Sequence, residues 1–166
     1  PYVARETFGT DQTGLGYLMA GFAIGSLAGS IILGVIGHKV RPGRAMILFA
    51  LVWHIVLASF LCVDQLALGI ILMGLAGLAH NLSMVPLVGL LMRTADPAFR
   101  GRVMGVRMLA IYTLPVSLVV AGWLIERIGF NETMGLYMLI GIALTILIAL
   151  RWREFVLRKD AVANVM

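Results

Sequence analysis

Charge is scarce in this sequence. Only 13% of its 166 residues are Asp, Glu, Lys or Arg, whereas 61% are hydrophobic and the mean hydropathy is +1.00. Soluble domains average about 25% charged residues. No soluble core could hide so much apolar surface in a chain of this length, so a soluble globular fold is excluded. The single cysteine, Cys62, also excludes an intramolecular disulfide.

The residues that most enzymes need are missing as well. We find no Ser-His-Asp set, no cluster with metal-ligand spacing and no phosphate-binding glycine loop. Long apolar runs contain no Asp, Glu or Lys, and the acids Asp64, Glu126 and Glu132 stand at run ends. The sequence therefore predicts a protein that is not an enzyme and that has neither a cofactor nor a metal.

What the chain does have is five long apolar runs, each near the roughly 20 residues that cross a bilayer as a helix. They predict an all-α, polytopic membrane bundle with the lipid bilayer as its surroundings. We expect an external loop at 1–13, a five-helix bundle at 14–150 and a C-terminal tail at 151–166. The predicted spans are 14–37, 45–63, 66–92, 103–125 and 133–150.

Basic residues mark one side of this bundle. The net charge is +5, yet the cations flank the spans and do not form one face, which excludes a nucleic-acid partner. All thirteen lysines and arginines except Arg5 and Arg127 fall in the connectors after the first and third spans, just inside the fourth, or in the tail. By the positive-inside rule, that side is the cytoplasm. The C-terminus is therefore predicted to be cytoplasmic.

Small residues recur at intervals of four in the first span. Gly21, Gly25 and Gly29 form one stripe, and Ser26, Ser30 and Gly34 form a second beside it. Such stripes let membrane helices approach closely, so we predict tight packing here in preference to a sliding face. Pro86 in the third span is predicted to kink its helix.

The connector "GVIGHKVRPGR" resembles a degenerate second copy of the loop motif Gly-x-Leu-x-Asp-Arg-x-Gly-Arg of the major facilitator superfamily. The positions that match in type are Gly34, Ile36, Lys39, Gly43 and Arg44, and His38 stands where the motif has Asp. The stretches "DPAFRGRVMG" and "LPVSLVVAGWLIERIG" are similar to the loop and eleventh helix of bacterial exporters of the enterobactin-exporter and macrolide-efflux type.

The resemblance implies the C-terminal six-helix half of a transporter, with spans eight to twelve present and the seventh helix missing before residue 1. The partner would be the missing N-terminal half of the same transporter, in a bacterial inner membrane. The implied function is export of small amphipathic molecules such as drugs or siderophores by alternating access. The alternative is a membrane-embedded enzyme or assembly factor without transport activity, which would require intramembrane acids or clustered histidines.

Two histidines lie near the middle of their spans, where a polar group is costly and indicates function. The family geometry implies that the third span lines the cavity, so His80 and its neighbour Asn81 are the leading substrate-contact candidates. His54, on a peripheral span, is predicted to bond to a neighbouring helix. Tyr112, Thr113 and Ser117 add a polar stripe in the fourth span. Tyr112 and Ser117 are further candidates for substrate contact, although we favour interhelical hydrogen bonding as the explanation of this stripe.

The stretch "RTADPAFRGRVMGVR" holds the second predicted gate element. Arg100, Gly101 and Arg102 open the eleventh helix, where a cation near the positive helix end is unfavourable. We expect an acid or a carbonyl to offset Arg102, with Asp96 as the candidate. The predicted gate residues are therefore Gly34, His38, Lys39, Gly43, Arg44, Asp96, Arg100 and Arg102.

Overall fold

The computed structural model of this chain describes residues 12–37 and 41–151. These residues form α-helices and one 3-10 turn, and they contain no β-strand. The helices are α1 (Gln12–Ile36), α2 (Pro42–Phe60), α3 (Leu66–Thr94), α4 (Arg100–Tyr112), α5 (Leu114–Ile128) and α6 (Phe130–Arg151), with the 3-10 turn at Pro97–Phe99.

Five stretches of helix are long and apolar enough to cross a membrane. Four are α1, α2, α3 and α6, and the fifth is the segment Pro97–Ile128, which contains α4 and α5. The predicted all-α membrane bundle is confirmed. Helix ends differ from the predicted ones by a few residues: α1 begins at Gln12, inside the predicted loop 1–13, and α2 begins at Pro42, where the fixed φ of proline suits a first helical position. The rest of that loop and the tail from 152 lie outside the described residues.

The fourth predicted span, 103–125, lies within the segment Pro97–Ile128, which is divided into two helices. It breaks at Thr113, between α4 and α5, because Pro115 lacks the N–H that a continuous helix would require there. Two hydroxyls bond near the break: Thr113 Oγ1 donates to the Ala110 carbonyl over 2.6 Å, and Ser117 Oγ donates to the Leu114 carbonyl over 2.8 Å. Pro86, by contrast, is buried within an unbroken α3.

The helices pack in a definite neighbour order. Helix α3 packs against both α1 and α2, helix α6 packs against α2, and α5 packs against α6. Because short connectors join successive spans, the end of α1, the start of α2, the end of α3, the start of α4 and the end of α6 share one side, here called the basic end. Among the described residues, no packing joins α5 to α1, so the row of spans is open.

The glycine stripe of α1 makes the closest helix contact. A Cβ on Gly25 would collide with the backbone of Gly74 in α3, and one on Gly21 would lie 2.8 Å from the carbonyl oxygen of Ile70. Across the same interface, a Cβ on Gly77 would collide with the backbone of Phe22. Glycine on both helices therefore allows α1 and α3 to touch backbone to backbone.

A tight turn connects α5 to α6. Gly129 has a φ of 92°, in the left-handed region that glycine adopts without strain. Its N–H donates to the Ile125 carbonyl over 3.0 Å, and its carbonyl accepts from the Thr133 hydroxyl over 2.7 Å. Thr133 is fully buried, so this turn holds α5 and α6 side by side.

Candidate functional site

A cluster of rings lies at the middle of the bundle, where α1, α2 and α3 meet. The imidazole of His80 lies between Phe22 of α1 and Trp53 of α2, with ring centroids 5.8 Å and 5.5 Å away. Trp53 in turn meets the ring of His54 edge-on at 4.9 Å. We call these four residues the ring cluster. It brings the two midspan histidines together through the indole of Trp53.

His54 faces away from this junction, towards α6. Its Nδ1–H donates to the Ala50 carbonyl of its own helix over 2.7 Å; a carbonyl can only accept, so Nδ1 carries the proton. Nε2 contacts α6 at Gly141, where a Cβ would collide with the imidazole. The predicted hydrogen bond from His54 to a neighbouring helix is thus wrong, because a carbonyl four residues earlier in the same helix is closer.

Asn81 follows His80 in sequence but faces α1. A Cβ on Gly29 would lie 3.0 Å from the Asn81 Cβ, so the amide is held against the glycine stripe. Asn81 Oδ1 and Trp53 Nε1 are both buried and have no hydrogen-bond partner among the described residues. An unmet acceptor and an unmet donor thus flank His80 in an apolar setting, where such groups gain most from a polar partner.

Two further hydroxyls are fully used in helix packing. Ser83 Oγ, on a residue only 2% exposed, donates to the Met46 carbonyl of α2 over 2.9 Å. Ser26 Oγ donates to the Gly77 carbonyl of α3 over 3.2 Å. These bonds connect α3 to α2 on one flank and to α1 on the other. They leave His80, Asn81 and the indole N–H of Trp53 as the groups of this region with capacity to bind.

The structure does not bring the candidates of the fourth span to this site. Tyr112 is 74% exposed and Ser117 is exposed beside it. Both lie at the α4–α5 break, and α4 contacts α3 only slightly, as its sequence neighbour across the 3-10 turn. His80 and Asn81 therefore form one group, and Tyr112 and Ser117 form another.

The loop-motif residues lie at the basic end. Gly34 has open space around it, Gly43 is half-buried in the first turn of α2, and Arg44 is exposed. His38 and Lys39 lie outside the described residues. Nothing in the described part of the chain ties these residues to the ring cluster.

The expected pairing of Arg102 with Asp96 is wrong. Asp96 Oδ1 instead accepts the Ala98 backbone N–H over 2.9 Å and so caps the 3-10 turn. The Arg102 guanidinium lies over the ring of Phe99, 5.2 Å from its centroid. An aspartate preceding a turn is drawn to the nearby backbone donor, and a ring three residues before the arginine is on the same helical face.

Sequence reasoning missed the partners of the histidines. Phe22 and Gly141 carry no motif, and only their depth in their spans, similar to that of His54 and His80, could have singled them out. The effect of Pro115 was also missed, although proline within a helix is a recognised cause of kinks and breaks. Within residues 12–37 and 41–151, a second cation also stacks on a ring: the guanidinium of Arg127 lies 4.9 Å from the centroid of the Trp123 ring.

Comparison with known proteins agrees with this geometry of apolar spans and small-residue packing. The model of one protein family, described as Major Facilitator Superfamily, matches residues 1–163. Searches among curated proteins and among solved structures each return no match. The family match covers nearly the whole chain, and members of this family move solutes across membranes and are not enzymes. This multi-pass membrane chain belongs to the Major Facilitator Superfamily.

Proposed function

We propose that this chain forms the C-terminal half of an exporter that moves small amphipathic molecules, such as drugs or siderophores, by alternating access. The observation that carries the proposal is the state of the α4–α5 span. Its only buried residue among those described is Ala121, so a membrane-length, apolar, broken helix lies uncovered beside a well-packed group of helices. The N-terminal half of the same transporter is the partner that we propose for this span.

The chemistry of the uncovered span favours amphipathic substrates. Residues 108–125 contain no charged side chain, and the hydroxyls they offer are those of Tyr112, Thr113 and Ser117. The indole N–H of Trp123 is the one further side-chain donor in this range. A wall of this kind gives a ligand apolar contact and few hydrogen bonds, as small-molecule sites commonly do. Sugars and other hydrophilic solutes require more amide and charged groups.

Alternating access also requires a part of the protein that moves as a rigid body, and we assign that part to the packed helices. Direct backbone contact between α1 and α3 makes this pair a rigid unit, because the glycines at the contact have no side chains that could repack. A rigid unit can rock as a body against its partner half, which is how many secondary transporters expose a central site alternately. Helix α3 carries His80 and Asn81, the polar contacts that we propose for the substrate.

Substrate efflux tests this assignment. In the complete transporter, we expect His80→Ala and Asn81→Ala each to slow efflux of a fluorescent lipophilic cation from loaded cells several-fold. His54→Ala is the matched control, because it also removes an imidazole, but one that faces α6 and not the proposed substrate contacts. Equal efflux by all three variants and the wild type would show that the ring cluster and Asn81 have no role in transport.

A dye series separates transport from the alternative of a membrane protein without transport activity. Cells that hold the complete transporter should accumulate less of an amphipathic dye than cells without it, and should accumulate equal amounts of a hydrophilic sugar analogue. Equal dye accumulation in the two strains would contradict the export proposal.

We also propose that the basic end faces the cytoplasm of a bacterial cell, with the protein in the inner membrane. Cys62 is exposed in the connector between α2 and α3, at the opposite end of the bundle, and it is the only cysteine of the chain. A membrane-impermeant maleimide should therefore label Cys62 from the periplasmic side in spheroplasts. The control is Cys62→Ser combined with Arg151→Cys, which should be labelled only after the membrane is opened. The reverse pattern would invert the topology.

A further inference from the structure

A cavity of about 230 Å³ opens at the basic end, between the end of α1, the start of α2 and the last turns of α3. Together with Pro86, its lining residues are Leu33, Gly37, Pro42, Val85, Gly89 and Arg93. Along α3, the nearest lining residue, Val85, follows His80 by about one and a half turns, and the cavity shares no lining residue with the ring cluster.

The cavity exists because residues with little or no side chain line it where three helices converge. Glycines at 37 and 89 contribute no Cβ, and a Cβ built on Gly89 would meet nothing within 4 Å. Prolines at 42 and 86 contribute compact rings. The small lining residues and the course of the backbone therefore create the space. A larger side chain at Gly89 could occupy it without a backbone clash.

Positive charge borders this space from two helices. Arg93 lies in the last turn of α3 and lines the cavity, and no acidic side chain of the described residues pairs with it. Helix α2 begins at the cavity with Pro42, has no acid in its first turn, and receives no side-chain hydrogen bond from its N-cap residue Arg41. Its first N–H groups thus add the positive end of a helix dipole to the guanidinium of Arg93.

We propose that this pocket binds the phosphate of an anionic lipid headgroup. Arginine forms paired hydrogen bonds to phosphate, and basic pockets between membrane helices hold such headgroups. The apolar walls from Leu33 and Val85 favour a lipid over free phosphate, because they can contact the glycerol and upper acyl carbons next to the charged group. The cavity also lies at the ends of three helices that are long and apolar enough to span a membrane, and the ends of such helices are where we expect headgroups to reach them.

Lipid titration of the purified full chain in detergent tests the pocket. Native mass spectrometry would count bound dioleoylphosphatidylglycerol against dioleoylphosphatidylcholine for the wild type and for three variants. Arg93→Gln should weaken phosphatidylglycerol binding about five-fold, about 1 kcal/mol, the contribution of one cation near an anionic headgroup. Gly89→Leu should abolish the saturable site by filling it while every arginine remains. Arg151→Gln removes a cation from the same end, outside the pocket, and should bind as the wild type does.

Each other outcome overturns the proposal in a distinct way. If Arg93→Gln and Arg151→Gln weakened phosphatidylglycerol binding equally, the lipid would be attracted by the overall charge of the basic end and not by the pocket. Inorganic phosphate that binds the lipid-free chain as tightly as phosphatidylglycerol would assign the site to a soluble anion. Unchanged binding by Gly89→Leu would place the lipid elsewhere. The inference needs only the membrane spans, so a failed transport assay would leave it standing.

Discussion

Two regions of this molecule are equally apolar and yet are packed in opposite ways. Helix α1 and the segment Pro97–Ile128 each contain an 18-residue stretch with a mean hydropathy of 2.0. In α1, 17% of that stretch is buried, whereas 0% of the corresponding stretch of the segment is buried. Hydropathy therefore does not decide which helix is packed. Lipid solvates apolar side chains as well as a protein interior does, so close approach of backbones makes the difference.

The composition of the contact surfaces explains the contrast. Glycine at 21, 25 and 29 matches the glycines and carbonyls of α3 along several turns, whereas Gly101, Gly105 and Gly122 of the exposed segment have open space around them. Spacing alone therefore does not make a packing glycine; a second helix with small residues at the same depth is also required. The exposed segment lacks that second helix among the described residues.

A large side chain at the glycine contact should destabilise the packed region more than any other substitution considered below. Gly25→Leu places four carbons where the backbone of Gly74 lies, so α1 and α3 must separate. We expect a loss of about 3 kcal/mol or failure to fold, at the upper end of overpacking costs. Thermal unfolding in detergent measures it.

Gly16→Leu is the matched control, since it lies in the same helix with open space around it. We expect its unfolding temperature to stay close to that of the wild type. If the two variants melted alike, α1 and α3 would not depend on the Gly25 contact.

The contact between α2 and α6 offers a smaller test. Gly141→Ala would collide with the His54 imidazole, which must then rotate and give up its bond to Ala50. We expect about 1–2 kcal/mol of destabilisation. His54→Ala should relieve most of it, so a double-mutant cycle should show strong coupling. Gly135→Ala on the same helix has free space and serves as the control; additive effects of the 54 and 141 substitutions would contradict the contact.

A third prediction concerns hydrogen bonding between packed helices. Ser83→Ala removes the buried bond to the Met46 carbonyl and should cost about 0.6 kcal/mol, the average for such bonds in membrane bundles. Ser59→Ala removes an exposed hydroxyl that bonds within its own helix and should change the unfolding temperature less. Equal shifts would indicate that the α2–α3 interface gains nothing from Ser83.

Much of this architecture could be predicted from the sequence, for physical reasons that also explain the failures. A helix is the only regular structure that satisfies its backbone within such long apolar runs, so the five spans followed directly. The Gly21–Gly29 stripe was readable because its period matches one helix face. Its partner on α3 was not, because the contact positions, such as Ile70 and Gly74, depend on how deeply each helix is inserted.

The candidate site was only half predictable. Midspan depth singled out His80, but which rings surround it depends on helix rotation, which no local pattern specifies. Tyr112 and Ser117 looked like companions of His80 because they are polar and intramembrane. Their distance from it follows from the neighbour order of the helices, which is a property of the whole bundle.

The smallest predicted effect concerns the turn where the exposed segment begins. Arg102 over Phe99 is a solvent-exposed cation–π pair, worth about 0.5 kcal/mol. A double-mutant cycle on unfolding should therefore give weak coupling between Phe99→Leu and Arg102→Gln, and none between Asp96→Asn and Arg102→Gln. Coupling to Asp96 would restore the ion pair that the sequence suggested. Because α4 otherwise contacts little, we expect even this weak interaction to influence how the segment leaves the basic end. Arg102→Gln should therefore measurably change the rate at which maleimide labels a cysteine placed at Tyr112, whereas its effect on the free energy of unfolding should be small.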